Sequence, residues 1–536
     1  MENEIVGPVE KKSSSLRPKN KAGKIIRAII AVILVCILAF FVWVAVAWFQ
    51  KVPSRSVIPP DYSIFLHTDS AYQTFDPLLD LKATEVFLSL PELKGTGELV
   101  KQLKDSKLRD SSIFKKLTSR KTDLAFYSND EGLFNFLAVM DMGPYAFLSR
   151  MSPLFINRLK EKGLKDIEYV EDDSFVPYYQ IKNGGSCIYF KPYKNLIIAS
   201  SSMKLFTRAL LNSPFRDTYT EEEKLAFSSE DSSVKLIAKP RILFRSLTSS
   251  NVFTREIDAL LASSLPASLS ISFDDSDLSV DMRLPLDLSE KESPLLSLLS
   301  QDSSVPSFGV DVRSTVTSST LLNIAGLSDL KDAVFPLLFE KVKLDELWSS
   351  TQYMSRILLG ITLDDILFSW TGKEVAVLGV RDYPGSVFAV EVSDEEEREK
   401  VFKKLSSSLL VKKNSSMVVD GVRLDQLTLP SVVSKLLSSI KVSLPSPFYY
   451  IQDGFIYFSQ SPEALARLYN SGDAGIMQND GEDPSSISVS YNLESKTPFF
   501  LQGDTAFVKA LSYYKKGRCD IAVEGDALKI SLNAKK

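Results

Sequence analysis

The sequence predicts an α+β protein, in which an N-terminal transmembrane helix precedes two tandem related units of antiparallel sheet with covering helices. Three observations predict this arrangement. A run of 22 residues without formal charge, Ala28–Phe49, lies near the N-terminus. Beyond it, strand patterns are joined by turns too short for any pairing but an antiparallel one. Several of these patterns occur twice in the same order, at offsets of 250 to 259 residues.

The uncharged run Ala28–Phe49 has the length of a membrane-spanning helix, because about 20 residues at ~1.5 Å each cross a ~30 Å hydrocarbon core. Residues 1–56 carry nine Lys and Arg against three Asp and Glu, and seven of these nine precede the run. This asymmetry predicts a cytoplasmic basic tail (1–24), a transmembrane helix (25–49) and an exterior remainder. A cleaved signal peptide is the alternative, since Ala45-Val46-Ala47 resembles a peptidase site.

Residues 50–60 contain three prolines and predict a stiff spacer between the membrane and the first unit. The chain after residue 56 holds 54 basic and 64 acidic residues, a net charge of −10. An acidic exterior argues against nucleic-acid binding and against electrostatic attraction to anionic lipid headgroups.

The repeated patterns define two units, residues 61–286 and 305–536, separated by a polar, serine-rich linker (287–304). Because surface loops absorb insertions, the drift among the offsets is compatible with a duplicated unit. Serines 202 and 461 are expected to cap the helix of the repeated strand–helix pattern. The matched segments are Lys121–Gly143 with Lys373–Glu395, Asn195–Ser213 with Gly454–Gly472, Ser232–Leu236 with Ser485–Val489, and Leu269–Leu284 with Cys519–Leu532.

No pattern of catalytic, cofactor-binding or metal-binding residues is visible, so we expect none of these sites. The single histidine, His67, excludes multi-histidine metal sites, and a structural role near Asp69 is expected for it. Three cysteines cannot form a four-thiolate zinc site. Whether Cys187 and Cys519 form a disulfide is left open, because the sequence does not show their separation.

Several local patterns resemble known sites but lack part of the motif. Ser201-Ser202-Met203-Lys204 fits S-x-x-K, yet helix capping explains its second serine and no S-D-N or K-T-G follows. Gly95-Thr96-Gly97 and Gly372-Lys373 are incomplete nucleotide-binding loops. Four clustered acids lack the glycine and glutamate of a calcium loop, and a hairpin turn explains them. They are Asp274, Asp275, Asp277 and Asp281. Three aromatic residues are interpreted as core: Trp348, Phe368 and Trp370.

Four segments of the second unit carry a resemblance to a known family. They are Leu359-Gly360-Ile361, Asp365–Ala376, Ser386–Asp394 and Gly454–Ser461. These segments resemble the bacterial domain-of-unknown-function family 3352 (DUF3352), which comprises single-pass membrane-anchored proteins. The resemblance implies a family-like core at residues 360–470, a bacterial inner membrane and a periplasmic location for both units. It implies no activity, cofactor or site residue.

The anchor, the repeat and the lack of catalytic motifs together favour a non-enzymatic envelope protein that acts as a structural or partner-binding module. Its expected partners are the lipid bilayer, through Ala28–Phe49, and other envelope proteins. The alternative is a carrier or sensor of an apolar ligand such as a lipid. Antiparallel sheets with covering helices can enclose apolar cavities, and the 10% of aromatic residues can line one.

Overall fold

The structure is a computed structural model, and its elements belong to the part of the chain that it describes. The described residues are 33–39, 42, 51–89, 97, 100–101, 104, 109–128, 134–143, 145–146, 156–157, 160–161, 167–171, 176–183, 186–211, 234–240, 266–286, 299, 305–310, 312, 315–324, 326–329, 331–332, 344–383, 385–407, 415–427, 446–476, 484–492 and 513–536.

The strands are numbered in chain order. In the first half of the chain they are β1 (Ile64–Thr68), β2 (Thr122–Ser128), β3 (Phe134–Asp141), β4 (Ile167–Val170), β5 (Tyr178–Asn183), β6 (Ser186–Tyr193), β7 (Leu196–Ser200), β8 (Val234–Ala238), β9 (Ala267–Phe273) and β10 (Asp277–Pro285). In the second half they are β11 (Phe308–Val310), β12 (Val316–Asn323), β13 (Thr371–Val380), β14 (Ser386–Val392), β15 (Ser416–Val419), β16 (Val422–Gln426), β17 (Phe448–Gln452), β18 (Phe455–Ser459), β19 (Ala474–Ile476), β20 (Ile487–Asn492), β21 (Lys516–Glu524) and β22 (Ala527–Lys535).

The helices are fewer and mostly short. They are α1 (Ala71–Phe75), α2 (Lys82–Leu88), α3 (Ser112–Thr118), α4 (Met203–Leu211), α5 (Leu344–Leu359), α6 (Leu363–Leu367), α7 (Glu395–Ser407) and α8 (Pro462–Ser471). Two 3₁₀ helices, Ser54–Val57 and Pro77–Asp80, flank β1.

Twenty of these strands form one continuous ladder, and β11 pairs separately with β19. The ladder runs β4-β5-β6-β7-β3-β2-β1-β8-β9-β10-β22-β21-β20-β12-β13-β14-β18-β17-β16-β15. Each pairing in it is antiparallel, as the short turns predict. The α+β class with a large antiparallel sheet is therefore confirmed.

The strand order is the same when the ladder is read from either end. Strands β1–β10 fill one half, and each has a counterpart with equivalent neighbours in the other half. The halves meet where the counterparts β10 and β22 pair, from Asp277 with Lys535 to Pro285 with Ala527. Equivalent residues of β10 and β22 are 250 positions apart in the sequence, and Asp281 pairs with its own counterpart, Ser531. A local two-fold axis therefore passes between these two residues.

Residues 52–58 pack into the core of the first half. Val57 and Ile58 are buried there, and Val52 packs against the same cluster. The Asn195 side chain accepts a hydrogen bond from the Val52 N–H (2.7 Å) and donates one to its carbonyl (3.2 Å). The sequence predicts a stiff spacer at 50–60, and residues 52–58 of this segment pack against the core of the first half.

Both faces of the second-half sheet are covered. On one face, Ala389 and Tyr457 share a core with Leu465 of α8. On the other face, Val390 and Ile456 share a core with residues of α6 and α7. Successive strand residues point to opposite faces, so neighbours in the sequence enter different cores. The second of these cores borders the candidate site.

Helices α4 and α8 begin in the same way, at the predicted capping serines. The Ser202 and Ser461 hydroxyls accept hydrogen bonds from the backbone N–H three residues further on, at 3.5 and 3.2 Å. Ser200 and Ser459 in turn accept from the N–H of the capping serine, at 3.1 and 3.2 Å. Each of these two also donates to a carbonyl of the adjacent strand. The predicted N-caps are confirmed.

Each half has a buried acid, on β2 or on β13, that accepts hydrogen bonds from the segment at the start of that half. Glu374 is 6% exposed. Its carboxylate accepts hydrogen bonds from the Ser307 and Phe308 N–H groups, both at 2.7 Å. Asp123, 1% exposed, accepts a hydrogen bond from the Ser54 hydroxyl. Neither acid has exposed oxygens to spare, so both are structural.

We expect Glu374→Ala to lower the free energy of unfolding by about 2 kcal/mol, because the buried Phe308 N–H loses its acceptor. Urea unfolding of the full chain, followed by far-UV circular dichroism, measures this. Glu396→Ala is the control. Glu396 is exposed, and its replacement should change the stability by less than about 0.5 kcal/mol. Equal losses in the two variants would contradict the role of Glu374.

Most of the predicted anchor and linker lies outside the described residues. Of Ala28–Phe49, residues 33–39 and 42 are described, and they are helical and exposed. No helix in the described ranges combines the length and apolar character needed to cross a bilayer. The basic tail, 1–24, lies outside the described residues. The linker 287–304 does too, except for the buried Leu299.

Candidate functional site

A cavity of about 160 Å³ lies between the second-half sheet and its covering helices. Eleven of its twelve lining side chains are apolar, and the twelfth is Thr371. The lining residues are Leu327, Ile366, Leu367, Trp370, Thr371, Phe388, Val390, Phe402, Leu405, Leu427, Pro447 and Phe458. An enclosure of this composition attracts apolar groups and offers little to polar ones.

Two neighbouring strands supply the sheet side of the cavity. Phe388 and Val390 are two positions apart on β14, so they point to the same face. Phe458 of β18 pairs directly with Phe388 across the ladder. Cross-strand neighbours have their Cβ atoms about 5 Å apart, so the two phenylalanines form one continuous apolar wall.

Helices α6 and α7 supply the opposite side of the cavity. Phe402 and Leu405, three positions apart, lie on one face of α7. Helix α6 is fixed by a capping box, in which Thr362 Oγ1 accepts from the Asp365 N–H (3.1 Å) and the Asp365 carboxylate accepts from the Thr362 N–H (2.9 Å). Burial raises the pKa of Asp365, but these hydrogen bonds prevail and hold it below its usual range.

Aromatic side chains rigidify the cavity wall. The Trp370 indole N–H donates to the Ile366 carbonyl (2.9 Å), which fixes the ring orientation. The Trp370 ring meets Phe402 edge to face, with centroids 5.6 Å apart. Phe402 in turn meets Tyr449 edge to face at 5.4 Å. Such contacts add about 0.5–1.5 kcal/mol each beyond area burial, so they stabilise the wall of the cavity.

Among the described lining residues, the side chains are apolar apart from Thr371, so they suit an apolar guest. A dry apolar cavity of about 150 Å³ accepts a molecule the size of benzene. This cavity therefore suits one ring or a short stretch of alkyl chain.

The first half differs from the second at the matching wall positions. Ala138 of β3 pairs with Ala199 of β7, where the second half pairs Phe388 with Phe458. The offsets are 250 and 259 residues, and the second equals that of the repeated strand–helix pattern, Asn195–Ser213 with Gly454–Gly472. Two alanines thus replace the two phenylalanines, so this aromatic wall is specific to the second half.

His67 belongs to a structural cluster away from the cavity. Its Nδ1 lies 2.5 Å from a carboxylate oxygen of Asp123, the residue that faces it across the β1–β2 pair. Asp69, which the sequence places nearby, is 3.8 Å from Nε2. The Ser54 hydroxyl contacts Asp123 and not the imidazole, so the order of a catalytic triad is absent.

The clustered acids accept hydrogen bonds within the β9–β10 turn and between β10 and β22, where the two halves meet. Asp274 accepts hydrogen bonds from the Ser276 hydroxyl (2.7 Å), the Ser276 N–H (2.6 Å) and the Asp277 N–H (2.8 Å), and these lower its pKa. Asp281 accepts from the Ser531 hydroxyl at 2.7 Å. Within the described ranges no group of three or more His, Cys, Asp or Glu is arranged to hold a metal.

Cys187 on β6 and Cys519 on β21 are free thiols. The sequence left open whether Cys187 and Cys519 form a disulfide, and in the structure they do not. Burial, reinforced by Asp520, raises the pKa of Cys519 to about 11, so this thiol stays protonated and unreactive at neutral pH.

No protein-family model matches the chain, and no curated protein matches it in sequence. The resemblance to DUF3352 therefore stays a prediction. Among solved structures, crystal form IV of TP0453 aligns with 45% of this chain and 83% of its own, at 14% identity and a TM-score of 0.23. Crystal form III covers 49% and 90%, at 14% identity and a TM-score of 0.24. Crystal form I covers 47% and 85%, at 14% identity and a TM-score of 0.25.

Proposed function

We propose that the protein is a non-catalytic binding module of a bacterial envelope, and that its second half holds the apolar part of a ligand in the cavity. The single observation that supports this is the cavity of about 160 Å³, walled by aromatic and aliphatic side chains. Of the two hypotheses from the sequence, the cavity favours an apolar ligand over a purely structural or protein-binding role.

The proposal places the chain in the inner membrane through Ala28–Phe49, with the N-terminus cytoplasmic and the sheet in the periplasm. The charge asymmetry around the uncharged run supports this orientation. A bilayer anchor would keep the cavity close to a reservoir of alkyl chains. Envelope proteins that deliver or receive the ligand are the corresponding partners, and nucleic acid is not among them.

The proposal also treats the two halves, 61–286 and 305–536, as copies of one ancestral unit. The matching strand order and the equivalent pairing of β10 with β22 support a duplication. The difference between Ala138 with Ala199 and Phe388 with Phe458 then marks divergence. In this scheme the second half binds, and the first half supports it.

Quenching of Trp370 by a brominated alkyl chain tests the binding function directly. The full chain is placed in lipid nanodiscs with Trp43 and Trp48 changed to Phe, which leaves two tryptophans, Trp348 and Trp370. Added 11-bromo-1-undecanol should quench the fluorescence saturably, because bromine quenches on contact. Trp370→Phe should remove most of the quenching, and Trp348→Phe should retain it. Quenching that is lost in Trp348→Phe and retained in Trp370→Phe would refute the proposed site.

We expect Val390→Phe to weaken this binding at least tenfold, because the added ring fills part of a cavity of about 160 Å³. The packing strain should cost no more than about 1–3 kcal/mol, so the chain stays folded. The control is Met140→Phe, at the matching position of the first half, where binding should not change. Equal effects of the two variants on the quenching curve would contradict the assignment.

A further inference from the structure

Arg398 is a buried cation beside the cavity. It lies on α7 one turn before Phe402, and its guanidinium carbon is 5.6 Å from the centroid of that ring. The side chain is 8% exposed. Its Nε is buried and has no hydrogen-bond partner within the described part of the chain. A buried, partly unsatisfied guanidinium is costly, so its presence next to an apolar site requires an explanation.

The ion pairs that Arg398 makes are of the weak kind. Its Nη2 contacts a carboxylate oxygen of Glu395 and lies 3.7 Å from one of Glu399. The two glutamate side chains are 58% and 73% exposed. Exposed carboxylates are held by about 0–1 kcal/mol and exchange readily with water or another anion. Nε and Nη2 form one edge of the guanidinium, the edge that binds a carboxylate through two parallel hydrogen bonds.

Tyr449 packs against two of the aromatic side chains that line the cavity. Its ring contacts Phe402 at 5.4 Å and Phe458 at 6.1 Å, and both of these residues line the cavity. Burial, and then the charge of Asp425, raise the pKa of Tyr449 against the opposing effect of Arg398. The phenol therefore stays protonated and can donate a hydrogen bond to an anion.

We infer that the ligand is a single-chain amphiphile with a carboxylate head, whose alkyl end occupies the cavity while its carboxylate binds the Nε–Nη2 edge of Arg398 in place of Glu395. The inference rests on the proposed function, since it names the ligand class of the same cavity. The incoming carboxylate satisfies Nε, and the displaced Glu395 returns to water.

Two probes that differ only in the head group test this inference. In the same nanodiscs, 11-bromoundecanoate and 11-bromo-1-undecanol are titrated against Trp370 fluorescence, each corrected for its partition into empty nanodiscs. A charged hydrogen-bonded pair contributes about 1.5–3 kcal/mol, so the acid should bind about 10- to 100-fold more tightly than the alcohol. Arg398→Met keeps an unbranched apolar stem but lacks the guanidinium, so it should abolish the preference for the acid.

Glu395→Gln gives a second and opposite readout, because it removes the competing carboxylate. It should strengthen binding of the acid several-fold and leave the alcohol unchanged. Equal binding of acid and alcohol in the unmodified site would overturn the inference and leave the proposed function standing. Absence of saturable quenching by either probe would instead refute the proposed function.

Discussion

Raising the pH above about 10 is expected to destabilise the folded chain by up to about 4 kcal/mol per pH unit. Three buried tyrosines cause this effect: Tyr450, Tyr457 and Tyr491, which are 6%, 0% and 3% exposed. Burial raises the pKa of each well above its ordinary value. Tyr450 and Tyr457 stack with centroids 4.5 Å apart, so neither can ionise without placing charge in a packed core.

The direction in which stability changes with pH depends on whether the folded or the unfolded chain releases these protons first. A tyrosine is neutral while protonated, and the unfolded chain loses these protons near pH 10. The folded chain retains them to higher pH, so it binds more protons than the unfolded chain in that interval and its stability falls as the pH rises. Each tyrosine contributes up to about 1.4 kcal/mol per pH unit, and nothing is lost below pH 9 from this source.

Urea unfolding at pH 8, 9, 10 and 11, with tyrosinate absorbance at 295 nm as a second probe, measures this dependence. Tyr450→Phe should reduce the slope by up to about 1.4 kcal/mol per pH unit, the contribution of one tyrosine. Tyr353→Phe serves as the control, since this ring is 68% exposed. A slope that is unchanged by Tyr450→Phe would show that its burial does not control alkaline unfolding.

Short-range patterns in the sequence predicted the antiparallel ladder and the capping serines. Turns of a few residues leave no other way to join successive strands, and a serine before an apolar helical pattern is a local signal. Ser202 and Ser461 illustrate this, because each acts on a backbone N–H only three residues away. The offsets of the repeat also reappear in the strand register, with 250 residues between β10 and β22.

Contacts between distant segments were not predicted. Asp123 meets His67 only because β1 pairs with β2, and no local signal in the sequence links the two residues. Trp370 was interpreted as core, and it is buried in a core, yet the same ring also lines the cavity. Burial and cavity lining produce the same apolar pattern in a sequence, so periodicity alone does not separate them.

A comparison of the two halves carries a signal for the cavity. Aligning the halves by their strand pairing places Ala138 opposite Phe388 and Ala199 opposite Phe458. Two large-for-small exchanges at paired positions of one sheet face mark a difference in what that face contacts. Only the strand register shows that the two phenylalanines are neighbours, so the comparison becomes informative once β14 is known to pair with β18.

Gly372 lies at the irregular start of β13, beside the Glu391 side chain. A β-carbon on Gly372 would collide with this side chain, which would have to move away. The Glu391 carboxylate accepts hydrogen bonds from the N–H groups of Lys373 (2.7 Å) and Glu374 (3.1 Å) at the irregular end of β13. Trp370, Gly372 and Glu374 thus fix one corner of the sheet, and the same corner forms a wall of the cavity.

Trp370→Ala is expected to lower the free energy of unfolding by about 3–5 kcal/mol, because it removes the largest side chain of a packed core. Trp370 is 4% exposed, and its loss also removes the hydrogen bond to the Ile366 carbonyl and the edge contact with Phe402. Urea unfolding of the full chain by far-UV circular dichroism measures the change. Trp370→Phe is the matched control, and it should cost about 1–2 kcal/mol since most of the volume remains.

Comparing Trp370→Ala with Trp370→Phe distinguishes a void left in an intact core from a core that has collapsed. If the surrounding core keeps its shape, the alanine variant holds an indole-sized void that adjoins the existing cavity, and free indole should occupy it. Indole at 100 times its dissociation constant should restore about 2.7 kcal/mol to Trp370→Ala. It should restore little to Trp370→Phe, where the ring still fills the space. Failure of indole to stabilise the alanine variant would show that α6 and α7 collapse onto the sheet, and the cavity would then depend on Trp370 rather than merely contain it.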